Sequence, residues 1–111
     1  MGTKSGRELL PGTLDLLILN SLTNGHMHGY GISRFLQRMS DDFFHVEEGT
    51  LYPALQRLQL NGYIDGIWEN TVNNRRARFY RLTKAGKKHL ADEMNRYRQT
   101  TLAIDKILGV T

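Results

Sequence analysis

Two aromatic and β-branched segments, Tyr63–Glu69 and Ala77–Leu82, stand in a chain whose other patterned stretches have helical periodicity. Between them lies Asn70-Thr71-Val72-Asn73-Asn74-Arg75-Arg76, so the pair reads as a β-hairpin with a long connection. An isolated two-stranded hairpin is marginal in water, and one of its faces must therefore pack on helices. That requirement confines the chain to a mainly α fold carrying a small β-hairpin. Asn73-Asn74 tolerates positive φ better than most non-glycine pairs, which suits a projecting tip. Alternation places Arg78 with Tyr80 on one face of the second strand and Phe79 with Arg81 on the other. The pattern does not decide which face packs.

Three helices are expected before the hairpin. The first opens near Leu9 to Pro11, with Leu10, Leu14, Leu17, Ile18 and Leu22 as its apolar stripe and Asn24-Gly25 as its stop. His26 to Gly29 links onward. The second runs from about Tyr30 to Ser40, burying Ile32, Phe35, Leu36 and Met39 and leaving Ser33, Arg34, Gln37 and Arg38 to solvent or phosphate. Ser40-Asp41-Asp42 closes it. The third spans Glu47 to Gly62, with Leu51, Leu55 and Leu58 at i, i+4, i+7. Pro53 lacks the N–H that a helix interior donates, so regular helix is expected from Gly49 or Thr50.

After the hairpin, Thr83 is an N-cap candidate for a helix reaching about Leu108. Leu90, Met94, Tyr97, Thr101, Ile104 and Leu108 alternate steps of four and three, the spacing of a coiled-coil seam. At 1.5 Å per residue this helix is about 39 Å long, more than a small domain can cover. A second copy of the chain is the simplest source of the missing surface, with Leu10 and Leu14 of the first helix assisting; packing on the chain's own first helix is the alternative.

Helix, helix, helix, hairpin and long helix in that order make a winged helix-turn-helix with a long C-terminal dimerisation helix. Residues 1–8 read as an arm, 9–82 as the winged domain and 83–111 as the dimerisation helix. In such a fold the third helix enters the major groove of DNA and the wing lies on the backbone or the minor groove. The net charge of +4 and pI near 9.6 suit a polyanionic partner without naming one. Thr50, Tyr52, Pro53, Gln56 and Arg57 supply hydroxyl, amide, guanidinium and apolar groups for base edges or phosphates. His28 and Tyr30 begin the second helix, where a phosphate can be held, although His28 is equally suited to capping. Arg75, Arg76 and Arg78 belong to the wing. Glu47 and Glu48 disfavour phosphate and are expected to cap the helix or orient arginines.

Other chemistries find little support. Without cysteine there are no disulfides or thiolate metal sites. The histidines at 26, 28, 45 and 89 are scattered, and no Gly-rich phosphate loop occurs, so neither a metal nor a cofactor is expected and the chain does not read as an enzyme. The N-terminus has no apolar signal region, and no apolar run approaches the roughly 20 residues of a membrane span, so no membrane partner is expected. The competing reading is a winged helix that docks on another protein without specific DNA binding.

Leu14-Asp15-Leu16-Leu17-Ile18-Leu19, His28-Gly29-Tyr30-Gly31-Ile32, Val46-Glu47-Glu48-Gly49-Thr50-Leu51-Tyr52-Pro53-Ala54-Leu55, Gly62-Tyr63-Ile64 and Arg78-Phe79-Tyr80-Arg81-Leu82-Thr83-Lys84-Ala85-Gly86 closely resemble the PadR family of transcriptional regulators. The resemblance spans about residues 9 to 95 and corresponds to the short C-terminal form. It implies a cytoplasmic homodimeric repressor of a double-stranded DNA operator, with the last helix, assisted by the first, at the dimer interface. Some members take small aromatic effectors. Here Met94 and Tyr97 are the candidates for such a site, ordinary seam packing being the alternative.

Overall fold

A computed structural model describes residues 12–110. Its elements run α1 (Thr13–Ser21), β1 (Met27–His28), α2 (Gly29–Met39), α3 (Glu48–Leu60), β2 (Ile64–Asn70), β3 (Arg76–Leu82) and α4 (Lys84–Leu108). The strands form one antiparallel sheet in the order β1-β3-β2. Three helices and a wing therefore precede a long helix, as the periodicities require. No helix among the described residues is long and apolar enough to cross a membrane.

The core is built where the apolar stripes meet. Ile18 and Leu19 of α1, Ile32 of α2, Leu51, Leu55 and Leu58 of α3, and Ile64 of β2 are all essentially inaccessible. Burying each such side chain is worth about 1.5–3 kcal/mol relative to leaving it exposed. Tyr80 is also buried, which settles the question of faces: the Arg78–Tyr80 side of β3 turns toward the helices. Met39, expected on the inner face of α2, is exposed instead, because it is the last residue of the helix and lies beyond the reach of α1 and α3.

Several boundaries shift for local reasons. Gly12 takes a φ of 89°, a left-handed conformation, so α1 opens at Thr13. Leu10 lies outside the described residues. The same helix ends at Ser21, before Asn24-Gly25, where the Leu22 and Thr23 N–H groups fall back on Leu19 and Asn20 carbonyls. The left-handed Asp41 and Asp42 do close α2, and the Asp42 N–H donates back to the Gln37 carbonyl at 2.8 Å. Helix α3 starts at Glu48, ahead of the position Pro53 suggested. Pro53 lies inside it on the exposed side of the helix, where the hydrogen bond its missing N–H forgoes can be replaced by solvent.

One element was not read from the sequence. Met27 and His28 form a strand, paired with Tyr80 and Phe79. Two residues are too few to show periodicity, and the pairing arises only when the hairpin folds back on the start of α2.

The junction between wing and α4 is built tightly. The Thr83 hydroxyl accepts from the Gly86 N–H at 2.9 Å, the expected cap, and donates to the Gly62 carbonyl at 2.7 Å. Gly86 is buried directly against the Tyr63 carbonyl, whose carbon would lie 2.9 Å from any Cβ placed there. Leu90, one turn on, is also in the core, so the first turns of α4 belong to the packing of the winged domain. Because the obstruction is backbone, Gly86→Ala is expected to destabilise the protein by about 1–3 kcal/mol, as overpacking does. A urea titration followed by circular dichroism measures it, and a variant as stable as the wild type would show that the junction gives way.

Candidate nucleic-acid interface

The β1-β3 pairing swings the wing alongside the start of α2 and leaves a groove of about 1000 Å³ between them. Tyr30, Arg34, Phe35 and Arg38 form its α2 wall, and Trp68, Arg75, Arg76 and Arg78 its wing wall. Tyr52 of α3 closes one end. Five arginines line the groove and no acidic residue does. Such a surface attracts anions strongly, because its positive charge is not neutralised internally.

Strand alternation explains the segregation of charge. On the face of the wing away from the groove, Asp65 pairs with Arg81 at 3.8 Å and Glu69 with His26 at 3.1 Å. The odd-numbered positions of the hairpin thus carry both acids, with Arg81 and His26 as their partners. The even-numbered positions bring Trp68, Arg76 and Arg78 together on the groove side, with guanidinium carbons 5.6 and 5.7 Å from the indole centroid. At the turn, Asn74 has a φ of 61° as its residue type permits, and Thr71 binds the Arg75 backbone on both sides. Arg75 is consequently presented at the wing tip.

His28 caps α2: its Nδ1 accepts from the Gly31 N–H at 2.8 Å. Nδ1 must be unprotonated to accept, so the neutral ring carries its proton on Nε2, which remains a donor. Tyr30 is 61% exposed, and Arg34 donates to its hydroxyl at 2.9 Å. Tyr30, Arg34 and Arg38 recur every fourth residue and hence share one face of α2. The two arginines are the groove residues most readily found from spacing alone.

Helix α3 presents two flanks. Tyr52 lies toward α2 and the wing, while Thr50 and Arg57, seven residues apart, share another flank. Arg57 is engaged there by Asp15 of α1 at 2.6 Å, and it lines no part of the groove. The sequence-based reading placed Arg57 among the DNA-facing residues without this partner, because 42 positions separate it from Asp15 in the chain. Thr50, Pro53 and Gln56 are exposed outside the groove, on the outer surface of the helix.

Tyr52 is both packed and accessible. Its ring packs on Gly29, where a Cβ would come within 2.6 Å of the hydroxyl, yet 42% of the residue remains exposed. Burial, then the Glu48 carboxylate and Tyr80, raise its pKa above the ordinary phenol value, so it stays a neutral hydrogen-bond donor at physiological pH. Glu48 and Glu47 help line a smaller cleft of about 300 Å³ between the starts of α2 and α3. Glu47 occupies the N-cap position without a side-chain cap bond, and among the described residues neither acid pairs with an arginine, contrary to expectation.

The seam of α4 divides along its length. Leu90, together with Leu14 of α1, is consumed by the monomer core, and Met94 packs at its edge. Beyond it Tyr97, Leu102, Ile104, Ile107 and Leu108 are exposed apolar side chains. Neither Met94 nor Tyr97 lines the groove or the smaller cleft. Among the described residues no group of three or more histidine, aspartate or glutamate side chains is placed to hold a metal ion.

Comparison with known proteins agrees with this architecture. A transcriptional regulator of Mycobacterium tuberculosis, Rv3488, is 32% identical over 87 residues, covering 78% of each chain. The structure of a transcriptional regulator from Clostridium thermocellum superimposes with a TM-score of 0.79 at 33% identity, covering 86% of this chain and 89% of that one. A PadR family transcription regulator from Clostridium difficile gives 0.75 at 28% identity, over 87% of this chain and 99% of the other. Residues 18–92 match the profile of the transcriptional regulator PadR-like family, and the chain belongs to that family.

Proposed function

We propose that this transcriptional regulator is a homodimeric repressor that binds a double-stranded DNA operator through α3, the start of α2 and the wing. The observation that carries the reading is the groove lined by five arginines and no acid, adjoining the exposed face of α3. In it Tyr52, Pro53 and Gln56, with Thr50 at the edge, meet base edges in the major groove. Arg75, Arg76 and Arg78 hold phosphates on the wing side, and His28 and Tyr30 with Arg34 and Arg38 do so from α2.

Dimerisation rests on the outer half of α4. A helix of 25 residues extends about 38 Å, and its large side chains from Tyr97 onward are exposed in a single chain. Burial of this stripe against a second copy removes it from water and sets two α3 helices apart by a distance suited to half-sites about 34 Å apart or a multiple of it. A planar aromatic effector would lie where the two α4 helices meet, against Met94 and Tyr97, and would release DNA by changing that spacing.

Three outcomes are expected. In mobility-shift assays on the DNA upstream of the chain's own gene, replacing Arg75 and Arg76 together with alanine flattens the slope of log K against log salt by about two, since each phosphate contact contributes roughly −0.9. Arg57→Ala leaves that slope unchanged, its guanidinium being committed to α1. Absence of wild-type binding at low salt would defeat the DNA reading. Ile104→Asp, at a position already half exposed, yields monomers in sedimentation and costs roughly 10²–10⁴-fold in operator affinity through lost bivalency; a variant that stays dimeric would place the interface elsewhere.

A further inference from the structure

Trp68 is 56% exposed on the groove face of the wing, directly across from Arg78 and diagonal to Arg76. A large aromatic surface left open there contributes little to the core. Its ring instead gathers two guanidinium groups, at 5.6 and 5.7 Å, that would otherwise repel each other. Among the described residues neither arginine has a carboxylate partner, because the acids of β2 are used on the opposite face. The strand opposite leaves room for the same arrangement. Gly66 pairs with Tyr80, and the Arg78 side chain crosses it so closely that a Cβ would lie 2.8 Å from Nη2 and 2.9 Å from Cζ. A floor without a side chain and a plate of indole thus hold Arg78 in one position.

We propose that Arg76, Trp68 and Arg78 form a preassembled clamp for the sugar–phosphate backbone of one strand of duplex DNA. In this clamp Trp68 is a positioning residue for both guanidiniums, and its free surface lies against deoxyribose. Ordering the two arginines before DNA arrives removes part of the side-chain entropy that binding would otherwise cost. The inference rests on the DNA-binding reading above and adds to it a residue and a device that the charge count does not require.

The test exploits two substitutions that leave every charge in place, Trp68→Leu and Gly66→Ala, with Trp68→Phe as the conservative rescue. The three atoms nearest a Cβ at Gly66 all belong to the mobile end of Arg78, so Gly66→Ala displaces the guanidinium while sparing the fold. Trp68 is the chain's single tryptophan, and its emission reports on the clamp directly in the wild-type protein. Saturation with operator duplex is expected to change that emission. Trp68→Leu weakens binding roughly fivefold, from the loss of exposed cation–π contacts, with the salt slope preserved, and Trp68→Phe recovers most of the loss; Gly66→Ala, which displaces the Arg78 guanidinium, weakens binding by a similar factor and flattens the slope by up to about 0.9. Urea titration of each variant separates this from general destabilisation. Emission unchanged at saturation, or both variants binding like the wild type, overturns the clamp while leaving DNA binding intact. Failure of the wild type to bind any duplex overturns the underlying reading instead.

Discussion

The shortest element of the fold is the one on which the groove depends. Met27 and His28 pair with Tyr80 and Phe79, and thereby tie the wing to the start of α2. His28 is at once the last residue of that strand and the cap of the helix, with its Nδ1 on the Gly31 N–H. Gly29 follows immediately and receives the Tyr52 ring of α3 on its bare backbone. Three neighbouring residues therefore fix the wing, α2 and α3 relative to one another. A side chain at position 29 would push Tyr52 away, and loss of the strand pair would free a hairpin that is marginal by itself.

Once the wing is docked, strand alternation distributes charge with a consequence for recognition. Tyr80 must be buried, and its even-numbered neighbours Arg78 and Arg76 are then obliged to line the groove. Asp65 and Glu69 fall on the reverse side, where Arg81 and His26 neutralise them. A chain with a net charge of only +4 consequently presents a surface whose local charge is entirely positive. The modest overall charge conceals a strong field because opposite charges are sorted by face.

Helix α4 shows a different economy. Gly86 and Leu90 complete the core of the winged domain, after which the same periodic stripe continues with no counterpart among the described residues. One seam is thus buried at its start and exposed along its outer half. The spacing of apolar residues is uniform along it, which is why periodicity could not divide the part buried in the core from the part left exposed.

The helices, the hairpin, the Thr83 cap and the arginine-rich wing were legible because each depends on residues close together in the chain: stripes at i, i+4, i+7, alternation, and capping chemistry. The PadR resemblance was legible in the same way, as local motifs. The sequence by itself therefore determined the elements, their order and the residues able to meet an anion. Only the tertiary structure decided which of those residues share a surface. It paired Arg57 with Asp15 across 42 positions, turned the Arg78 face inward through Tyr80, recruited Met27-His28 as a strand, and set Trp68 beside two arginines. These outcomes depend on contacts between elements far apart in sequence, and no local period or propensity encodes them.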